Sequence, residues 1–359
     1  MRIVFGHELF PPDVAGGGEK LALRLAKHLK NEGHEVRIVT SGDPALKNYE
    51  GVETIRVPAN RYLMNVLALP ELIKQAAWAD IVIASSGNMA LPAYVAARHA
   101  KKPVALWVHH IFGKYWRDIR GPVLGRLFEF FERVIFNLRF DAVVFQNESS
   151  KALGLGMGVR RSSIRMISPG VDFGTFNPAK IRRRRGVLVV GSMNMDRPAI
   201  INKGIKYIGD AKRLLPDVHF TIVTGPIHIR YEPLPGWIDV PAGYSWQSKV
   251  KPHVLVHMYR TANAFACASL NEGFGLALLE AMACGCPIVS TVDIGQVGPK
   301  VKPKDAKALA DAIRFYMDNP AKAREDGMKN ASLARGRTWE KFYSHVEKLY
   351  TDLNKHRSK

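Results

Sequence analysis

Asn271-Glu272-Gly273-Phe274-Gly275-Leu276-Ala277-Leu278-Leu279-Glu280 joins a turn to a helix. Gly273 and Gly275 flank Phe274, and residues without a Cβ let backbone amides come close to a ligand. Leu276 to Cys284 is strong helix-forming sequence, and Gly285 reads as its C-cap. A glycine turn opening a helix offers free amides and a partial positive charge, a ready seat for a diphosphate. Glu280 stands five residues beyond Gly275, roughly 7–8 Å along the helix at about 1.5 Å per residue. Glu272 can then meet one end of an extended ligand and Glu280 the other, with phosphates between them. A nucleotide sugar has that layout: sugar hydroxyls, diphosphate, ribose hydroxyls. The bare pattern also fits a capped core helix carrying two surface glutamates.

The longer run, Glu272-Gly273-Phe274-Gly275 through Glu280-Ala281-Met282-Ala283-Cys284-Gly285-Cys286-Pro287-Ile288-Val289-Ser290, resembles the signature of retaining glycosyltransferases of family 4. That family has the two-domain GT-B fold, and Glu272 and Glu280 meet its motif of two glutamates with seven residues between. The resemblance implies that Glu272 and the amides of Gly273, Phe274, Gly275 and Leu276 bind sugar and phosphate. It implies that Glu280 holds the ribose.

At 359 residues, 47% hydrophobic and 23% charged, the chain suits a soluble protein of two ordinary domains. No run reaches the length of a transmembrane helix. Met1–Gly6 has too short an apolar core for a signal peptide and reads as a strand, so the expected compartment is the cytosol. Cys267, Cys284 and Cys286, an odd set in apolar surroundings, read as buried reduced thiols rather than a disulfide or metal site. The net charge of +20 favours polyanionic partners: nucleic acid, anionic lipid or phosphorylated substrate. Residues 98–139 hold 9 basic and 3 acidic residues, and Arg182-Arg183-Arg184-Arg185 is the sharpest basic cluster in the second half.

Short apolar strands alternate with helical patterns: Ile3–Gly6, Val36–Thr40, Ile55–Val57, Ile81–Ala84, Val104–Val108 and Ala142–Phe145. A second series, Val187–Val190, Phe220–Val223, Ala264–Ala266 and Ile288–Ser290, follows the join Ser168-Pro169-Gly170-Val171-Asp172. Buried parallel strands with crossover helices explain this alternation. The expected fold class is therefore α/β with two Rossmann-like domains, residues 1–175 and 176–339. The GT-B resemblance adds parallel sheets facing a central cleft, and a C-terminal helix at about 340–359 that returns to the first domain.

In open α/β sheets ligands sit beyond the C-terminal strand ends. Gly16-Gly17-Gly18-Glu19-Lys20, after the first strand, can bring its amides to a phosphate there. It is neither the dinucleotide pattern nor a Walker loop. Family 4 has a similar Gly-Gly-x-Glu loop near the donor phosphates and the acceptor, which assigns Gly17 and Gly18 to the donor site. The family also carries a histidine after the strand Val104–Val108 that meets the transferred sugar. His109 matches it, with His110 as the alternative. In the second domain the family continues from Gly191 with an arginine and then Lys-Gly. Lys203-Gly204 is present, whereas Ser192 replaces the arginine. Lys203 is the expected cation for the departing diphosphate, and Arg197 in the inserted loop is the candidate substitute.

Residues 113–139 mix Trp116, Arg117, Arg120 and Arg126 with Phe128, Phe131, Ile135 and Leu138. A basic, aromatic amphipathic helix can lie in a lipid interface. Spacing equally allows Phe128, Phe131, Ile135 and Leu138 to face the protein's own core.

The function implied is retaining transfer from a UDP- or GDP-sugar to an acceptor hydroxyl, with His109, Lys203 and Glu272 catalytic. The acceptor would be a glycan or a lipid-linked molecule at the inner face of the cell membrane, an anionic surface. The nucleotide sugar is a substrate. No cofactor and no metal are expected, consistent with the lack of an Asp-x-Asp pair. Two alternatives remain, a nucleotide-sugar epimerase on the same fold and a non-catalytic polyanion-binding protein. No helix-turn-helix, RRM-like or zinc pattern points to specific nucleic-acid binding.

Overall fold

A computed structural model describes residues 1–13, 16–60, 63–181, 183–191, 197–224, 244–248 and 250–355. The first-half strands are β1 (Arg2–Gly6), β2 (Glu35–Ser41), β3 (Asn48–Tyr49), β4 (Val52–Val57), β5 (Ile81–Ser85), β6 (Val104–Trp107), β7 (Ala142–Phe145) and β8 (Ile164–Met166). Among the described residues they form one sheet, ordered β3-β4-β2-β1-β5-β6-β7-β8. All neighbours are parallel except the edge pair β3–β4. β5, β6 and β7 are buried throughout, because helices cover both faces of a parallel sheet. β4, beside the edge, alternates buried and more exposed residues instead. Small side chains let the helices approach: a Cβ on Gly6 would lie 3.3 Å from the Cβ of Ala93.

β9 (Arg184–Gly191), β10 (His219–Thr224), β11 (Tyr244–Ser248), β12 (Ala262–Cys267) and β13 (Ile288–Ser290) form a second, fully parallel sheet ordered β11-β10-β9-β12-β13. Successive β9 residues serve opposite faces, Val187 and Val189 in one core and Leu188 in the other. The sequence reading anticipated the strands of both central sheets. It passed over β3 and β11 at the edges and short β8, where apolar runs are brief or absent.

The chain divides into two compact units. One comprises Met1–Gly113, Phe128–Pro169 and Glu340–Lys359; the other comprises Lys114–Leu127 and Gly170–Trp339. In the first unit the helix Trp339–Lys355 is held by specific contacts. Trp107 Nε1 donates to Tyr350 Oη at 3.1 Å, and Tyr343 stacks on His28 at 3.7 Å. In the second unit Lys304 pairs with Asp118 at 2.6 Å and lies over the Tyr115 ring, tying Lys114–Leu127 to that unit. The three cysteines are unbridged, and burial pushes the Cys284 and Cys286 thiols up to about 12.

Candidate functional site

Both sheets have a topological switch point, where consecutive connections leave in opposite directions and ligands characteristically bind. In the second unit it lies between β9 and β12, and the loops beyond them are joined. Leu270 N donates to Asn202 O at 2.7 Å, and Asn202 Nδ2 to Asn271 O at 3.1 Å. Gly204 makes the close approach possible. Its φ is +66°, and a Cβ there would stand 2.0 Å from the Ala268 carbonyl oxygen, which only glycine avoids. Lys203 is thereby delivered to Glu272, with its Nζ 2.7 Å from Oε1; Ser269 Oγ donates to the same oxygen at 2.6 Å. Both charged side chains are largely buried, 21% and 15% exposed. Burial alone would lower the Lys203 ammonium, but the charge and hydrogen bond of Glu272 outweigh it and hold it above its usual range. The lysine therefore stays cationic at neutral pH.

Gly275, with φ +93°, is the N-cap of the helix Leu276–Ala283. Its carbonyl accepts from the amides of Leu278 and Leu279 at 2.9 and 3.1 Å. Phe274 is buried in the core beneath the turn, so its ring anchors the loop and only its backbone is available to a ligand. Gly285 takes φ +72° just beyond the helix, as a C-terminal glycine should. Glu280, half-buried on this helix, accepts a 2.9 Å hydrogen bond on Oε2 from Tyr259 Oη. The arrangement combines a cation, a helix N-terminus and two oriented carboxylates, the groups needed to hold a diphosphate flanked by hydroxyls.

The first unit brings Gly18 and His109 together: a Cβ on Gly18 would lie 3.4 Å from His109 Nδ1. Gly17 opens the helix Gly17–Asn31. Ser86 Oγ accepts from the amides of His109 and His110 at 3.0 and 3.2 Å, fixing the turn after β6. The His7 and His109 rings are 5.1 Å apart. His7 Nδ1 lies 2.8 Å from Leu9 O; a carbonyl only accepts, so the proton is on Nδ1. A cavity of about 10 Å³, bordered by His7, His109, Ser85 and Trp107, has room for about one water. Burial first, then the neighbouring His7 and His110, keep the His109 pKa well below its ordinary value. The ring is neutral at physiological pH. Arg56 steadies the preceding loop through Asp13 at 2.8 Å and the Pro11 carbonyl.

The expected site residues thus fall into two groups. Gly17, Gly18 and His109 lie in the first unit; Lys203, Glu272, Gly273, Phe274, Gly275, Leu276 and Glu280 lie in the second. Arg197 begins the helix Arg197–Asn202, and its side chain is outside the described residues. So are parts of the Arg182–Arg185 run; Arg183 itself donates to the carbonyls of Ala262 and Gly285.

Comparison with known proteins shows what the chain is similar to. Residues 15–174 match the family described as Glycosyltransferase Family 4, and residues 184–319 match Glycosyl transferases group 1. The chain is a glycosyltransferase that resembles those of family 4. A phosphatidylinositol N-acetylglucosaminyltransferase component from Arabidopsis thaliana is 25% identical over 336 residues, 87% of this chain and 71% of that protein. Sucrose-phosphate synthase from Thermosynechococcus elongatus matches with a TM-score of 0.78 at 21% identity over 98% of both chains. Anabaena HepE, solved with UDP-glucose, matches at 0.74 and 15%, covering 98% of this chain and 100% of that one. At these identities the structural likeness shows the fold, the GT-B architecture of paired Rossmann-like domains.

Sequence reading of this glycosyltransferase passed over Ser269 and Tyr259. Ser269 had a signal, a hydroxyl three residues before a motif glutamate. Tyr259, 21 positions before Glu280 in an apolar helix, had none and reads as core.

Proposed function

We propose that this glycosyltransferase moves a hexosyl group from a UDP- or GDP-sugar to a hydroxyl of a lipid-linked or glycan acceptor, with retention at the anomeric carbon. The observation that carries the reading is the Lys203–Glu272–Ser269 cluster at the second sheet's switch point, with Glu280 eight residues on. In this reading Lys203 exchanges its carboxylate partner for the donor diphosphate and stabilises the charge that grows on it as the sugar leaves. Glu272 and the Gly273–Leu276 amides hold sugar and phosphate, and Glu280 holds the ribose. Neutral His109 offers the sugar an uncharged partner. The leaving diphosphate takes the acceptor proton, with no metal. HepE's UDP-glucose complex supports a nucleotide-sugar donor.

The acceptor's lipid character has its own support. The helix Pro122–Phe136 exposes an apolar stripe: Val123 at 79%, Leu124, Leu127, Phe130 at 59%, Phe131 and Val134. Phe131 therefore does not face the core, as spacing had allowed, whereas Ile135 and Leu138 do pack against it. Phe130 and Phe131, each a little over half exposed, forgo part of the about 1.5–3 kcal/mol that full burial of such a side chain contributes, which a bilayer would recover. Arg117 and Arg126 are also exposed, and each adds about 1 kcal/mol near anionic lipid. Among the described residues no helix is long and apolar enough to cross a membrane. The reading is peripheral binding at the cytoplasmic face. The Arabidopsis relative carries a lipid, phosphatidylinositol, in its name.

Thermal shift against UDP- and GDP-sugars tests the donor, because a ligand stabilises the state it binds. NMR of the slowly hydrolysed sugar then reads the anomer. An inverted anomer, C2 epimerisation, or no stabilisation by any nucleotide sugar would each displace the reading. Flotation with anionic vesicles tests the surface: binding should weaken with salt and in the Arg117/Arg120/Arg126→Ser variant. Failure of the wild type to float at low salt would favour a soluble acceptor.

A further inference from the structure

We infer that Tyr259 is a positioning residue for the nucleotide, holding the Glu280 carboxylate in the orientation that receives ribose hydroxyls. The inference rests on the donor reading above, and it assigns a role to a side chain outside the Glu272–Glu280 motif.

Tyr259 lies near the end of the helix Pro252–Thr261 and is 0% exposed. Its ring is fixed between Phe265, 5.9 Å between centroids, and Phe176 at 6.3 Å. Such a ring has one place for its hydroxyl, which lies 2.9 Å from Glu280 Oε2. Burial first, then the Glu280 charge, raise the phenol well above its ordinary pKa, so it keeps its proton and acts as donor.

The geometry addresses a definite problem. A glutamate on a helix has three side-chain torsions, and freezing them on ligand binding costs about 1–2 kcal/mol of rotamer entropy. A hydrogen bond from a rigid, fully buried donor freezes them before the ligand arrives. Ribose hydroxyls then donate to a carboxylate already turned toward them, the general benefit of preorganisation. Burying a phenol for packing alone would be better served by phenylalanine, since a buried hydroxyl needs a partner. Here the partner is a motif glutamate.

A purely structural tyrosine would support every ligand alike. A positioning tyrosine affects only ligands that carry the ribose hydroxyls. The test is calorimetry of the full chain with UDP, GDP and their 2′-deoxy and 3′-deoxy analogues, in wild type, Tyr259→Phe, Glu280→Gln and the double variant. Wild type should prefer the ribonucleotide over a deoxy analogue by about tenfold, the scale of a hydrogen bond to a charged group. Tyr259→Phe should weaken the ribonucleotide about fivefold or more and leave the deoxy analogue within about twofold, so that the preference collapses. On the Glu280→Gln background the tyrosine change should add nothing. Equal weakening of both nucleotides, or an unchanged preference, overturns the inference while leaving the donor reading intact. Should the wild type bind neither UDP nor GDP, the donor reading itself fails and the inference falls with it. Should Tyr259→Phe fail to fold, the Glu280→Gln arm decides. An unchanged ribose preference in Glu280→Gln would overturn the inference.

Discussion

The two sheets place different chemistry beyond their strand ends. In the second unit the candidate carboxylates each have a partner: Glu272 pairs with Lys203, and Glu280 accepts from the neutral Tyr259 hydroxyl. In the first unit the corresponding loops present glycine backbone and imidazoles, and burial holds His109 neutral. In the proposed reading, charge is concentrated at the diphosphate and neutrality is maintained at the sugar. The same architecture supports both because strand-end loops can be varied without disturbing the sheet.

The largest expected effect tests the charged side. Lys203→Ala should lower turnover by about 10²–10³-fold, the usual scale for removing a preorganised electrostatic group. Part of that loss would arise because Glu272 is left without its cation. Steady-state kinetics on the donor identified by thermal shift would read it. Near wild-type turnover would mean that the phosphates are held elsewhere, and Arg197→Ala, run alongside, would show whether the inserted loop holds them.

A smaller effect is expected at Glu280. Glu280→Gln should weaken donor binding by about 1–3 kcal/mol, the scale of charged hydrogen bonds, with the melting temperature nearly unchanged. Calorimetric affinity equal to wild type would remove Glu280 from the site.

The smallest effect concerns the neutral side. The folded pKa of His109 lies below its unfolded value near 6.5. Between the two the unfolded chain binds more protons, so stability falls as the pH drops through that window and is unaffected above it. The slope cannot exceed about 1.4 kcal/mol per pH unit, and partial exposure of the ring trims it. Melting temperatures at pH 7 and pH 5 should therefore fall further for wild type than for His109→Gln. An equal fall in both proteins would mean that His109 is free to charge, and the contrast between the units would lose one side.

Alternating apolar runs determined two parallel-sheet domains from the sequence alone, because strands buried on both faces must be continuously apolar. The Glu272–Glu280 stretch likewise determined its own turn and helix, since glycine placement and helix propensity act over a few residues. Edge strands such as β3 and β11 were not legible, because half-covered backbone needs little apolar sequence. Only the tertiary structure decided which side chains meet. Lys203 reaches Glu272 because Gly204 lets two distant loops touch at Ala268. Tyr259 reaches Glu280 because aromatic packing fixes its ring. Tertiary structure also decided that Lys114–Leu127 joins the second unit and that Phe130 and Phe131 face outward. Helical periodicity marks an apolar stripe but is blind to what covers it, since burial depends on the neighbours that long-range folding brings.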